Sequence, residues 1–367
     1  MIFGFSVSND NFYLMIKLRN SNLELYRIIV MLLIVAHHYV VNSGLMVELA
    51  KDPLNSTSLF YYIFGMWGKV GINCFVLITG YFMCKSQINL RKFLKLFFEV
   101  FFYNFFIYML FVCSGIEIFS CTRFIKSILP IQSVFHDFTS CFLLFYLFIP
   151  FLNILVSNLN KKTHAQLCML CLFIYTLLPT LGLMYVMLNY ITWFCVLYFI
   201  SSYIRYYGLI NKYESKHWGG LAILSILAAI CSVLILLIKE KTSSYDMYRF
   251  VVDSNAVFAV LVSVTSFMFF LTLRIYNYKL INKIAASTFG VLLIHANSDT
   301  MRQWLWNDVL KVDRMYYSDY TCIYATCNVF LIFCVCIVID YVRIHTIERW
   351  IFKKIDYLLV NDHIKYK

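Results

Sequence analysis

A chain of 367 residues that is 62% hydrophobic and 14% charged falls far below the roughly 25% charge of an ordinary soluble domain. With a mean hydropathy of +0.75 and long apolar runs, this predicts a multi-pass membrane protein. It excludes a soluble enzyme, a disordered chain and a transmembrane β-barrel. The net charge of +12 reads as Lys and Arg of loops facing the cytoplasm and anionic lipid, so no nucleic-acid partner is expected.

Ten apolar stretches come close to the ~20 residues that cross a bilayer as a helix. They are 25–45, 59–83, 94–113, 139–157, 166–186, 190–208, 219–238, 250–273, 284–305 and 321–342. The second carries Lys69 and Asn73 midway and reads as an interfacial piece leading into a short helix. The ninth is impure, with His295, Asp299 and Arg302 near its far end. No internal repeat is visible, so an inverted-repeat transporter has no support. No cleavable signal peptide is expected, and Met15, at the head of a basic flank, is an alternative start. The expected division is an N-terminal cytoplasmic segment 1–20, a membrane domain 21–345 and an interfacial cytoplasmic tail 346–367. In that tail, 347–360 mixes apolar and basic residues at helical spacing.

The 13 Cys are mostly scattered through apolar runs and read as small hydrophobes rather than a disulfide framework. Cys168 and Cys171 have no second pair at metal spacing, so no metal is expected. An even number of spans puts both termini on one side. Of the 31 Lys and Arg, 21 fall on that side, which places both termini in the cytoplasm. The expected fold is all-α, an integral membrane bundle of about ten helices in the cell membrane.

Ionisable residues inside membrane helices are costly and are functional candidates by default. The first span carries Glu24, Arg27 and His38, with His37 beside the last. Eleven steps of about 100° return to within about 20° of the starting face, so Arg27 and His38 share a stripe. Glu24 lies one turn before Arg27 on that stripe, and His37 sits about 80° away. A guanidinium at the helix mouth can hold the phosphate or thioester carbonyl of an anionic donor. A neutral imidazole deeper in can take a proton from a hydroxyl. The plainer alternative is an i,i+3 ion pair at a helix start and an interfacial His.

Five motifs carry a resemblance. Ser21-Asn22-Leu23-Glu24-Leu25-Tyr26-Arg27, followed by Ala36-His37-His38, resembles the first helix of the bacterial acyltransferase type 3 family, with its Arg, ten residues and His. Gly68-Lys69-Val70-Gly71-Ile72-Asn73-Cys74 through Ile78-Thr79-Gly80-Tyr81-Phe82 resembles the second motif, Thr79 standing for Ser. Leu147-Phe148-Ile149-Pro150-Phe151-Leu152-Asn153 resembles the fourth helix of the capsule-type branch, although His136-Asp137-Phe138 stands where that branch has Tyr-Trp-Phe. Trp193-Phe194 through Tyr203-Ile204-Arg205 resembles the sixth helix, and Thr288 through Leu293-Ile294-His295 resembles the late motif.

The resemblance implies a membrane O-acyltransferase. It would move an acyl group, usually acetyl, from cytosolic acyl-CoA to a hydroxyl of a surface polysaccharide or its lipid-linked precursor. Acetyl-CoA is then a donor substrate and no cofactor is bound. His38 is expected as general base or transient acyl carrier, Arg27 as donor ligand and Glu24 as its orienter. Further substrate- or donor-binding candidates are Lys69, Asn73, Trp193 and His295. Each has a structural alternative: Lys69 can snorkel, Asn73 can bond a neighbouring helix, Trp193 can anchor in the interface and His295 can be a packing residue. Gly80 reads as a close helix approach, Asp340 and Arg343 as helix-end residues. The outer segment 307–320, rich in Asp and Tyr, suits sugar hydroxyls and ring faces but also ordinary interfacial loops. A polysaccharide or lipid-linked sugar transporter, and a non-catalytic envelope protein of the same fold, are the alternatives. The charge count makes one prediction: single cysteines in the 85–95 and 205–217 loops label only from inside the cell, and labelling from outside overturns the orientation.

Overall fold

The computed structural model describes residues 20–131, 137–208, 213–240 and 246–356. Met15, His136, Lys212 and the end of the tail from 357 lie outside the described residues.

Helix α1, Ser21–Val41, starts where the Asn20 side chain accepts from the Asn22 N–H. A turn through Gly44, at φ +81°, leads to a short helix α2, Leu45–Lys51. The second apolar stretch is two helices, α3 (Ser56–Gly65) and α4 (Gly68–Met83), with Lys69 and Asn73 inside α4 rather than at the break. Together the two helices are long and apolar enough to cross a membrane, and are not an interfacial piece. Next come α5 (Leu90–Cys113), α6 (Cys121–Ile128) and α7 (Phe138–Asn158). Asp137, at the site of the departure noted above, caps α7 by accepting from the Ser140 N–H. Helix α8, Lys161–Leu172, runs through a π-helical turn to Thr180. Helices α9 (Tyr190–Tyr207), α10 (Ser215–Glu240) and α11 (Val257–Thr272) follow. The chain then forms α12 (Lys279–Ala286), α13 (Thr288–His295), α14 (Asp299–Arg302), α15 (Val312–Met315) and α16 (Thr321–Arg343).

Seven helical segments among the described residues are long and apolar enough to cross a membrane: Ser21–Val41, Ser56–Met83, Leu90–Cys113, Phe138–Asn158, Lys161–Thr180, Ser215–Lys239 and Thr321–Asp356. Three of the ten expected stretches fall outside this set. The stretch 190–208 is α9, with 18 residues. The stretch 250–273 becomes helical only at Val257 and gives 16 residues. Before it, Ser254 and Asn255 are buried and bonded to other elements, the Ser254 carbonyl to Asn73 and the Asn255 amide to the Tyr175 carbonyl. The stretch 284–305 breaks after His295, because the Asn297 amide donates back to the Leu293 carbonyl and Ser298 caps the next turn. Short polar side chains such as Asn297 and Ser298 compete with the backbone ladder and end helices.

Helix α1 is the centre of the bundle, packed by α3, α4, α11, α12, α13 and α16. Helix α4 runs antiparallel to it. His37 lies against Gly68, Ile34 against Gly71, and the Tyr26 hydroxyl reaches the Cys74 Sγ at 2.8 Å. Gly80 is a close approach as expected, since a Cβ there would strike the Ser201 side chain of α9. All 13 cysteines are free, Cys168 and Cys171 among them half-buried.

The described Lys and Arg assigned to one side share one end of the bundle. The N-terminus of α1 meets the segment after α11, where the Asn22 amide donates to the Arg274 carbonyl at 2.7 Å. At the same end Arg205 donates to the Tyr81 hydroxyl, and the Tyr207 hydroxyl reaches the Leu159 carbonyl just before Lys161. The final helix also ends there. Arg343 is buried and donates to Asp340 at 2.8 Å and Glu348 at 2.6 Å, with Glu99 of α5 at 3.1 Å. The Tyr103 hydroxyl donates to Asp340, and Lys95 pairs with Glu348. The reading of Asp340 and Arg343 as mere helix-end residues is corrected: they are the core of an ion network joining α5 to α16. The tail continues as helix to residue 356, buries Phe352 against Phe98 and pairs Asp356 with Arg91 through two hydrogen bonds.

Removing one member of a buried charged set strands the others in low dielectric. Arg343→Ala is therefore expected to cost about 3–5 kcal/mol, seen as a large fall in the thermal unfolding temperature in detergent. A shift of no more than a degree or two would show that the network is not stabilising.

Candidate functional site

The last turns of α1 and of α13 bring two imidazoles together. His38 Nδ1 stands 2.9 Å from His295 Nε2, with ring centroids 5.1 Å apart. His295 Nδ1 lies 2.6 Å from the Val291 carbonyl oxygen, one turn back on its own helix. The chemistry of these atoms assigns the protons. A carbonyl only accepts, so His295 Nδ1 carries hydrogen and donates. In a neutral ring Nε2 then accepts, so His38 Nδ1 donates to it. His38 Nε2 is left as the lone pair of a relay from backbone to imidazole to imidazole. His295 is fully buried and His38 half-buried, so the relay has an enclosed end and a reachable one.

The neighbouring histidine is used differently. His37 Nδ1 donates to the Gly65 carbonyl at 2.6 Å, at the end of α3. Helix ends leave such carbonyls unpaired, and His37 fills one at the break between α3 and α4. Its ring lies flat against Gly68, where a Cβ would collide with it. Adjacent positions on one helix point about 100° apart, which sends His38 to α13 and His37 to α3 and α4.

Arg27 lies eleven residues before His38, or about 16 Å along the helix. Its Nη1 is 3.1 Å from Glu24 Oε2, and the guanidinium sits 5.8 Å from the centre of the Phe75 ring. Phe75 in turn contacts Phe289 of α13, the helix of His295. Glu24 is buried, while Arg27 keeps about a fifth of its side chain exposed. Around this end of α1 lie the exposed cations Arg274, Lys279 and Lys283.

The other candidates are placed as follows. Asn73 is fully buried and bonded both ways, accepting from Trp193 Nε1 at 2.9 Å and donating to the Ser254 carbonyl at 2.7 Å. It joins α4, α9 and the segment before α11. Trp193 has no exposed surface, so neither the interfacial anchor nor an open sugar platform describes it. Lys69 is half-buried and donates to the Tyr190 hydroxyl at 2.5 Å. Asp299, one turn after His295, is exposed and pairs with Arg302 rather than with the histidine. Among the described residues no group of three or more His, Cys, Asp or Glu could hold a metal ion.

Sequence reasoning brought Glu24, Arg27 and His38 to one helix but left open what His295 does. Only helix packing puts residues 257 positions apart within hydrogen-bond reach.

A family model described as an acyltransferase domain matches residues 20–341 of the chain. No curated protein and no solved structure matches it.

Gly68→Ala is expected to destabilise the protein by about 1–3 kcal/mol, the usual cost of overpacking, because the His37 ring cannot retreat without losing the Gly65 carbonyl. The double variant Gly68→Ala/His37→Ala should recover part of that loss in thermal unfolding. Strictly additive losses would show that ring and glycine are independent.

Proposed function

The chain belongs to the acyltransferase family whose domain covers residues 20–341, and on that premise we propose that it is a membrane-bound O-acyltransferase of the cell membrane. It carries an acyl group, acetyl for preference, from cytosolic acyl-CoA to a hydroxyl of a surface polysaccharide or its lipid-linked precursor. The observation that carries this reading is the hydrogen-bonded relay Val291–His295–His38, which leaves His38 Nε2 unprotonated.

In the proposed reaction His38 Nε2 takes the proton of the acceptor hydroxyl as its oxygen attacks the thioester carbonyl. The tetrahedral intermediate collapses, the C–S bond breaks and the CoA thiolate leaves. The imidazolium returns its proton to the thiolate, so one ester forms as one thioester is lost and the enzyme is restored. The charge that develops on His38 is delocalised toward His295, whose buried ring holds the tautomer and orientation. Such a positioned base supplies about 10²–10⁴-fold in rate.

The donor is a polyanion, and the end of α1 that carries Arg27 has the cations to receive it. Glu24 holds Arg27 in place. Arg274, Lys279 and Lys283 supply a positive rim for the diphosphate. Placing this end in the cytoplasm agrees with the excess of Lys and Arg there. Most of the described Lys and Arg gather at that end, with Arg27 on α1, an arrangement that favours acyl transfer over transport of a polysaccharide or lipid-linked sugar.

The test is release of CoA from radiolabelled acetyl-CoA by purified protein. His38→Ala should lose at least about 10²-fold in kcat. His295→Ala should lose about tenfold or more and shift the pH profile of kcat, with partial recovery in His295→Asn, whose amide oxygen can still accept from His38. His37→Ala should keep most of its turnover per folded molecule. Equal losses in the His37 and His38 variants would remove the reading.

A further inference from the structure

At the end of α1 nearer His38, an open cleft of about 580 Å³ lies between the α2–α3 segment and the loop that enters α16. Its lining presents polar and apolar surface in about equal parts, with polar groups from Glu48, Asp52, Asn55, Tyr316, Tyr317 and Asp319. From this lining we infer that the cleft is a subsite for a sugar unit of the acceptor glycan, and that the glycan is neutral or amino-bearing rather than polyanionic. The inference rests on the acceptor reading given above and goes beyond it in naming where the chain is held and what charge it carries.

Three features support it. First, Tyr317 is 70% exposed, yet its hydroxyl donates to Glu48 Oε2 at 2.5 Å, so the ring is held in place in water. A fixed, exposed aromatic face beside carboxylates suits a pyranose, which has an apolar face and hydroxyl edges. Second, the charge is one-sided. The cleft has three carboxylates, Glu48, Asp52 and Asp319, against the one ammonium of Lys51. The hydrogen bonds from Lys51 and Tyr317 hold the Glu48 carboxyl below the usual carboxylate range, so it is ionised at neutral pH. A polyanion would be repelled, while hydroxyl and ammonium donors find acceptors. Third, the floor is built to last and leads to the relay. Tyr316 bonds Ser58 at 2.8 Å and Tyr61 bonds Thr321 at 2.5 Å. From Tyr316, ring contacts run through Tyr61, Tyr39 and Trp306 to His295. Tyr61, Tyr39 and Trp306 are fully buried. The cleft and the imidazole pair are therefore separated by a closed aromatic layer, and the subsite would hold a neighbouring unit of the polymer, not the hydroxyl that reacts.

The test is binding by calorimetry, with full-length protein in lipid nanodiscs and alkali-deacylated surface polysaccharide from the cells that make it. Wild type should bind; Tyr317→Ala should weaken the affinity at least tenfold. Tyr317→Phe, which keeps the ring and loses the Glu48 bond, should weaken it less. Asp319→Arg, on the exposed rim where folding is indifferent, should weaken it about fivefold and keeps the test valid if Tyr317→Ala misfolds. Polygalacturonate, a polyanion, should not compete. Absence of binding by wild type, unchanged affinity in Tyr317→Ala and Asp319→Arg, or competition by polygalacturonate overturns the subsite. Failure of wild type to release CoA from acetyl-CoA, with binding intact, counts against the acyl-transfer reading alone.

Discussion

A polar group carried into hydrocarbon on one helix must find its partner on another, because no water is there to satisfy it. That constraint organises this bundle. Tyr26 of α1 reaches Cys74 of α4 and Ser266 of α11. Asn73 ties α4 to α9 and to the turn before α11. Asn153 of α7 donates to the carbonyls at the end of α4 and accepts from Tyr198 of α9. His38 finds His295, and Arg343 gathers carboxylates from α5, α16 and the turn beyond. Apolar packing brings helices together without choosing their rotation; these bonds choose it.

The same constraint explains how two adjacent histidines come to differ. His37 spends its donor on a helix-end carbonyl at the α3–α4 break and is wedged against Gly68. His38 donates to a ring that is itself held by its own backbone, so its second nitrogen faces outward from the relay. The proposed chemistry needs one nitrogen in a known protonation state at a fixed place. Two rings and a carbonyl supply this without a carboxylate, whose charge would be expensive to bury at that depth.

The bundle is also polar along its axis. One end collects Arg27, Arg205, Arg274 and the ion network of Arg343. The other presents carboxylates, amides and tyrosines around the cleft. On the proposed reading the two ends would serve two different substrates, an anionic thioester donor and a hydroxyl-rich acceptor. The first helix runs between them with Arg27 near one end and His38 near the other.

Composition and spacing alone determined that this chain is a helical membrane protein, since no soluble fold can cover so much apolar surface. They also put Glu24, Arg27 and His38 on one stripe, because helix geometry is local and needs no neighbours. Motif order pointed to the family. Hydropathy did not see that the Ser254 carbonyl and the Asn255 and Asn297 amides bond elsewhere, where two of the expected stretches form shorter helices. The sequence could not tell a packing histidine from a relay at His295, nor an interfacial Trp193 from a buried one, nor helix-end charges from a network at Arg343. Each of those depends on what stands across a helix interface, and contacts between residues hundreds of positions apart were decided only by the tertiary structure.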